Sequence, residues 1–302
     1  MTIEEIIRAN RPKVKDNTIR TYKSLINNFA KQMGIKIESP CDVITNSTAI
    51  VNHIKDASAN IRKTKLSAMI VFIEKAEGAE CALKLFNDAM QSSMVERDKD
   101  KDEQKMSEKQ KKAMLPWGDV LKKYKELEKK VEPLLEQDDL NKEQFALFQM
   151  YVILSCNILL EPRRSMDWTD FKLRNATDKD NYLKVEKRKP FLVFNSFKTA
   201  KDIGQQIIPC PKKLYKILMG EWMLKNKHDY LLMNKTQTNK INSTQYMKLL
   251  YDFFGSNVST NILRHSYLKH QYDKVPSLKQ MKKTAYAMGQ SSITQALEYA
   301  VK

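Results

Sequence analysis

Apolar residues recur at three- and four-residue intervals through the first third of the chain. Asp16 and Asn17 can cap a helix. After them Ile19, Tyr22, Leu25, Ile26, Phe29 and Met33 fall on one face, and Gly34 supplies a C-terminal stop. The segments STAIVNHIKDA, KLSAMIVFIEKA and CALKLFNDAM add three shorter amphipathic stretches, so this region reads as a small helical bundle. From Glu96 the pattern breaks. The run ERDKDKDEQKMSEKQKK is almost wholly charged and reads as a linker or an exposed helix with no core to bury. Helical spacing resumes in LPWGDVLKKYKELEKKVEPLLEQ.

The character changes again from about Asp138. NKEQFALFQMYVILSCNILL is a long apolar helix, buried on most sides. NYLKVEKRKPFLVFN and GQQIIPCP alternate with the two-residue period of strands, and helical patterns then return to the end. The order predicts an α+β protein, mainly α with a small antiparallel β-sheet. It has a helical domain over 1–96, a charged linker or helix over 97–137, and a second domain over 138–302.

Composition narrows the function classes. With 302 residues and 42% hydrophobic content, the chain can bury two cores. Lys and Arg outnumber Asp and Glu by 53 to 36, a formal charge of +17, which favours a polyanionic partner. No apolar run reaches membrane-spanning length, and MTIEEIIRAN lacks a signal peptide's basic-then-apolar form. The four cysteines, at 41, 81, 156 and 210, are too scattered for a zinc site or a disulfide frame. They point to reduced thiols in the cytoplasm or nucleus. No G-x-x-x-x-G-K-[ST] loop exists to cradle a nucleotide phosphate, so nucleotide hydrolysis is not expected.

Breaking a phosphodiester without a metal requires a nucleophile, cations on the non-bridging oxygens, and an acid for the departing oxygen. Candidates for each occur in order along the second domain. EPRRSMDW places Arg163 and Arg164 after the buried helix, although a surface ion pair with Glu161 or Asp167 would explain them as well. FNSFKTAKDIGQQIIPCP places Lys198 in a turn between strands, where many lysines are merely solvated. NILRHSYLKH holds Asn261 and Arg264 three apart on one helix face, followed by His265 and, further on, His270. AMGQSSITQALEYAVK carries Gln290 and Tyr299.

Together, RRSM, FKTAK, NILRHS, MGQSS and Tyr299 resemble the tyrosine recombinase (phage-type integrase) family. Its boxes run R-x-S-E, a hairpin lysine, H-x-L-R-H-[ST], L-G-H-S-S and a tyrosine, in that order. The nine residues from Gln290 to Tyr299 and the thirty-five from Arg264 to Tyr299 are close to the family's spacing. The resemblance covers 138–302, and more weakly 11–96, where NTIRTYKSLINNFAKQ looks like the helical core-binding domain. It implies a core-binding domain followed by a catalytic domain that cleaves and rejoins duplex DNA through a 3′-phosphotyrosine. It requires no metal and no cofactor.

The implied roles fall on particular residues. Arg264 and Arg163 clamp the phosphate, with Arg164 as alternative because it puts Asp167 at the acidic position. Lys198 is the general acid, with Lys201 as runner-up. Tyr299 is the nucleophile. His265 packs or orients, and His270 is structural. The implied partners are double-stranded DNA and further copies of the chain, as dimer or tetramer, with no membrane.

Two imidazoles of the family pattern are missing. Asn261 and Gln290 stand in their places; both can donate a hydrogen bond, but neither exchanges a proton near neutral pH. Acid–base assistance is typically worth about 10²–10⁴-fold, so a slow enzyme is expected. Only three residues follow Tyr299, where the family commonly has a helix that docks on a neighbour. A DNA-binding protein that kept the fold and lost the activity, and a type IB topoisomerase, are the alternatives. Lysine- and asparagine-rich usage suggests an AT-rich genome, viral or of a mobile element.

Overall fold

The computed structural model describes residues 1–102, 108–255, 258–272 and 278–289. The chain divides into two compact units, Met1–Lys105 and Met106–Lys302.

Among its described residues the first unit's regular elements are all helices: α1 (Ile3–Asn10), α2 (Asp16–Met33), α3 (Pro40–Thr45), α4 (Ser47–Ile54), α5 (Ala59–Ile73) and α6 (Glu80–Asp102). α2 ends where the sequence places its stop. Gly34 takes the left-handed conformation (φ 66°), and its N–H closes on Ala30 and Lys31 carbonyls. Ile7, Ile26, Phe29, Leu66, Phe72 and Phe86 form the core. Asn10 ties the end of α1 to α5 by donating to the Val71 and Phe72 carbonyls at 2.8 and 3.2 Å. Sequence spacing does not reveal α1 and α3, because eight and six residues are too short to establish a period.

The second unit opens with α7 (Glu108–Ala113) and α8 (Trp117–Val131), followed by a 3₁₀ turn, Glu132–Leu134, and α9 (Lys142–Ile158). From Phe148 to Asn157 every residue of α9 is buried. Its polar members are bonded: Gln149 makes two bonds to the Met233 backbone, at 2.9 and 2.7 Å, and the Asn157 amide nitrogen donates to the Ile153 carbonyl and the Tyr246 hydroxyl, leaving its Oδ1 without a partner. The 97–137 stretch is not one kind of structure. α6 runs through its beginning, while Trp117, Val120, Tyr124, Leu127 and Val131 bury one face of α8 in the second unit's core. Alternation of charged and apolar residues along α8 conceals that stripe in a composition count.

The sheet follows: α10 (Ser165–Thr169), β1 (Phe171–Lys172), β2 (Asn181–Glu186), β3 (Lys189–Phe194), α11 (Ala200–Ile203) and β4 (Gln206–Pro209). The strand order is β1-β2-β3-β4. β2–β3 and β3–β4 are antiparallel, with Tyr182, Val193 and Ile207 in register, but β1 runs parallel to β2. The sheet is therefore mixed, which corrects the expectation of a purely antiparallel one. The cause lies in the β1–β2 connection. Asp180 accepts from the Thr177 N–H at 2.8 Å and pairs with Lys172 at 3.0 Å, which returns the chain beside the start of β1. Two residues of strand are too few to leave an alternating pattern. Helices complete the unit: α12 (Lys212–Tyr215), running on through a π-helical segment Lys216–Trp222 into α13 (Met223–Lys225), then α14 (Ser243–Phe254), α15 (Thr260–Tyr272) and α16 (Leu278–Ala287). Trp168, Phe171 and Phe194 pack with ring centroids 5.3–5.8 Å apart beneath the sheet.

Among the described residues, no helix is long and apolar enough to cross a membrane. Cys41 and Cys81 are exposed, and Cys156 and Cys210 are buried. Burial pushes the Cys210 thiol up to about 12 and raises the Cys156 thiol well above its ordinary value. Both therefore stay protonated and unreactive at neutral pH. Titration of the native protein with a thiol reagent at pH 7.5 is predicted to modify two cysteines quickly, identified by peptide mapping as Cys41 and Cys81. The other two are predicted to react only on denaturation.

Candidate active site

α9 ends at Ile158, and an extended segment carries the chain to Arg164, which caps α10 with β-region dihedrals. This geometry sends Arg163 inward. Its side chain is 1% exposed and saturated on three sides. Nε donates to Asp167 Oδ2 at 2.9 Å, Nη1 to the Ala287 carbonyl at 2.7 Å, and Nη2 to Gln206 Oε1 at 2.9 Å. Its guanidinium plane lies 3.9 Å from the centroid of Phe194 and 5.4 Å from that of Phe197. Burial raises the Asp167 carboxyl above its ordinary value, while Arg163, Arg264 and Arg164 draw it back toward ionisation. The same burial lowers Arg163, with Asp167 opposing. Each ion holds the other in its charged form.

The second arginine box arrives on α15. Arg264 is fully buried, and Nη1 donates to the Met288 carbonyl at 3.1 Å. Arg164, only partly buried, donates from Nη1 to the Gly289 carbonyl at 3.2 Å. Thr199 Oγ1 donates to the same carbonyl at 2.9 Å, and Gln206 Nε2 donates to the Tyr286 carbonyl at 2.7 Å. Four consecutive carbonyls at the end of α16 are thus met by Gln206, Arg163, Arg264 and the Arg164–Thr199 pair. A helix leaves its last carbonyls unsatisfied, at the negative end of its dipole; of these four, only that of Tyr286 also accepts a backbone N–H among the described residues, from Gly289 at 2.9 Å. The chain leaves α16 at Gly289 with φ 66°, and a Cβ there would stand 3.0 Å from Arg163 Nη2. That nitrogen is pinned by Gln206, so only glycine fits the crossing.

Lys198 is exposed in the turn between β3 and β4, with Lys201 exposed shortly after it in α11. Its chain neighbours fix its location. Phe197 lies against Arg163, and Thr199 binds the Gly289 carbonyl. Lys198 therefore lies, exposed, between two residues that touch the arginine cluster. Asn261 is exposed in the first turn of α15 while Arg264, three residues on, is buried, so the two do not face the same surroundings. His265 is buried beside Arg264 at 7% exposure, and His270 is partly buried. Gln290 and Tyr299 lie outside the described residues. Among the described residues no cluster of His, Cys, Asp and Glu could hold a metal ion.

Sequence reasoning did not single out Gln206, Thr199 or the two phenylalanines. Gln206 leaves a faint signal, as a polar residue at a buried position of a strand that is otherwise apolar. Neither a protein-family model nor a curated protein matches the chain.

Replacing Asp167 with alanine strands the buried Arg163 charge, and loss of one partner of such a pair typically costs about 3–5 kcal/mol. Denaturant unfolding of Asp167→Ala is predicted to show a loss of that size. A loss below about 1 kcal/mol, typical of an exposed pair, would refute this burial picture.

Proposed function

We propose that this protein is a DNA strand transferase of the tyrosine recombinase type, acting on duplex DNA inside the cell as an assembly of several copies. The observation that supports it best is the convergence of Arg164 and Arg264 on the end of α16, where Thr199, the residue after the exposed Lys198, also binds. They come from segments up to a hundred residues apart, and that end leads directly to Gln290 and Tyr299. Guanidinium groups suit the planar, bidentate demands of a phosphate, and an exposed lysine flanked by residues that touch them can reach a leaving oxygen.

In the reaction, the Tyr299 hydroxyl gives up its proton to solvent water and its oxygen attacks phosphorus as the P–O5′ bond breaks. The electron pair leaves with the 5′ oxygen, which takes a proton from Lys198, and the 3′ phosphate stays bonded to the tyrosine. The arginines offset the charge that builds on the non-bridging oxygens, and one preorganised donor of this kind is worth on the order of 10²–10³-fold. The partial exposure of Arg164 favours it as the arginine that meets the phosphate. Arg163, saturated by Asp167, Gln206 and the Ala287 carbonyl, favours a positioning role. Arg264 would exchange its Met288 contact for the phosphate. With asparagine and glutamine in place of two imidazoles, turnover is slow.

A second reading, a DNA-binding protein with this fold and no strand transfer, draws on one feature: Arg163 and Arg264 are both fully buried against backbone carbonyls.

The two readings separate on a nicked suicide duplex, from which the short fragment bearing the freed 5′ hydroxyl diffuses away. The proposal predicts a covalent adduct on denaturing gels that is absent in Tyr299→Phe and forms about 10²–10⁴-fold more slowly in Lys198→Ala. Salt-sensitive duplex binding with no adduct on any substrate would favour the second reading.

A further inference from the structure

The β2–β3 hairpin carries a feature that strand transfer does not use. Glu186 pairs with Lys189 in the ladder, leaving Lys187 and Arg188 as a two-residue loop. Both have positive φ, 49° and 63°. Such loops demand that conformation at both positions, which is why Asn-Gly dominates them. Lysine and arginine are poor choices on local grounds, and backbone outliers of this kind gather at functional sites.

The tip is also strongly basic. Lys184, Lys187, Arg188 and Lys189 are all exposed. Glu186 pairs with Lys184 at 3.0 Å, and among the described residues none of the other three is in an ion pair. The tip has no aromatic residue and one exposed aliphatic, Val185, which suits a phosphate backbone better than the apolar boundary of a membrane.

Its distance from the arginine cluster can be read along β3. Phe194, whose ring covers Arg163, lies five residues from Lys189. At about 3.4 Å per residue this is roughly 17 Å. Duplex DNA rises about 3.4 Å per base pair, so the separation spans about five base pairs, half a helical turn.

We propose that Lys187 and Arg188 form a DNA-gripping finger that holds backbone phosphates about half a helical turn from the phosphate at the arginine cluster. The inference rests on the strand-transferase reading, and it assigns a contact apart from the groups that carry the chemistry.

The test uses the full chain and a duplex of arbitrary sequence, with binding measured from about 0.05 to 0.3 M salt. The double variant Lys187→Asn, Arg188→Gly gives the loop its preferred residues. It should keep or raise the Tm while flattening the log–log salt slope by about 2, at roughly 0.9 per phosphate contact. Affinity at about 0.1 M salt should fall on the order of tens of fold. Adduct formation on the suicide duplex at saturating protein should keep the parent rate, and the charge-preserving exchange Lys187→Arg, Arg188→Lys should bind like the parent. A parental salt slope in the Asn-Gly variant would overturn the proposal. So would a fall in Tm that accompanies lost binding, or a defect confined to anionic phosphatidylserine vesicles. Absence of salt-dependent duplex binding by the parent would instead overturn the strand-transferase reading, and the finger with it.

Discussion

The second unit turns on the capture of α16's last carbonyls by side chains from three other parts of the chain. A helix end buried without partners would leave several acceptors stranded, each costing about 1–3 kcal/mol. Here Gln206, Arg163, Arg264, Arg164 and Thr199 supply the donors. Charged donors make stronger bonds than neutral ones, and the negative end of the helix dipole adds to the attraction. The same contacts draw the arginines into one cluster.

That solution imposes a charge problem on the interior, and Asp167 answers it. A lone guanidinium at 1% exposure would be costly. One carboxylate in the next turn of helix, two aromatic faces and a glutamine share the burden for Arg163. Arg164, one residue earlier than the helix it caps, stays near the surface. Adjacent arginines thus end in different surroundings: Arg163 is buried among its partners, and Arg164 stays partly exposed. Glycine at 289 is the steric condition for this arrangement, since any side chain there would press on Arg163.

Much of this was legible in the sequence. The face running from Ile19 to Met33 and the stop at Gly34 mark α2 closely, and the uniform apolarity of α9 announces its burial. The strands β2, β3 and β4 form within the stretches read as strands, although burial in β2 and β3 grades from one end to the other instead of alternating. Short elements did not carry enough residues to speak, as with α1, α3 and the parallel β1. α8 shows its helical spacing, but its place in the second unit's core was missed because lysines and glutamates outnumber the five residues that bury its stripe. At the site, residue types and order pointed to the arginines and Lys198, but local pattern could not say which of Arg163 and Arg164 goes inside. That choice depends on a contact 124 residues away, at Ala287. Gln206 was missed for the same reason, since its partners are remote in sequence.

The central claim is that the cluster at the end of α16 assembles a phosphoryl-transfer site with Lys198 as its acid. It is tested most directly by cleavage of a duplex whose scissile 5′ oxygen is replaced by sulfur. A thiolate leaves without protonation, so Lys198→Ala should cleave the sulfur substrate at nearly the parent rate while remaining severely slowed on the oxygen substrate. An equal defect on both substrates would contradict the assignment, and no cleavage of either by the parent would contradict the account as a whole.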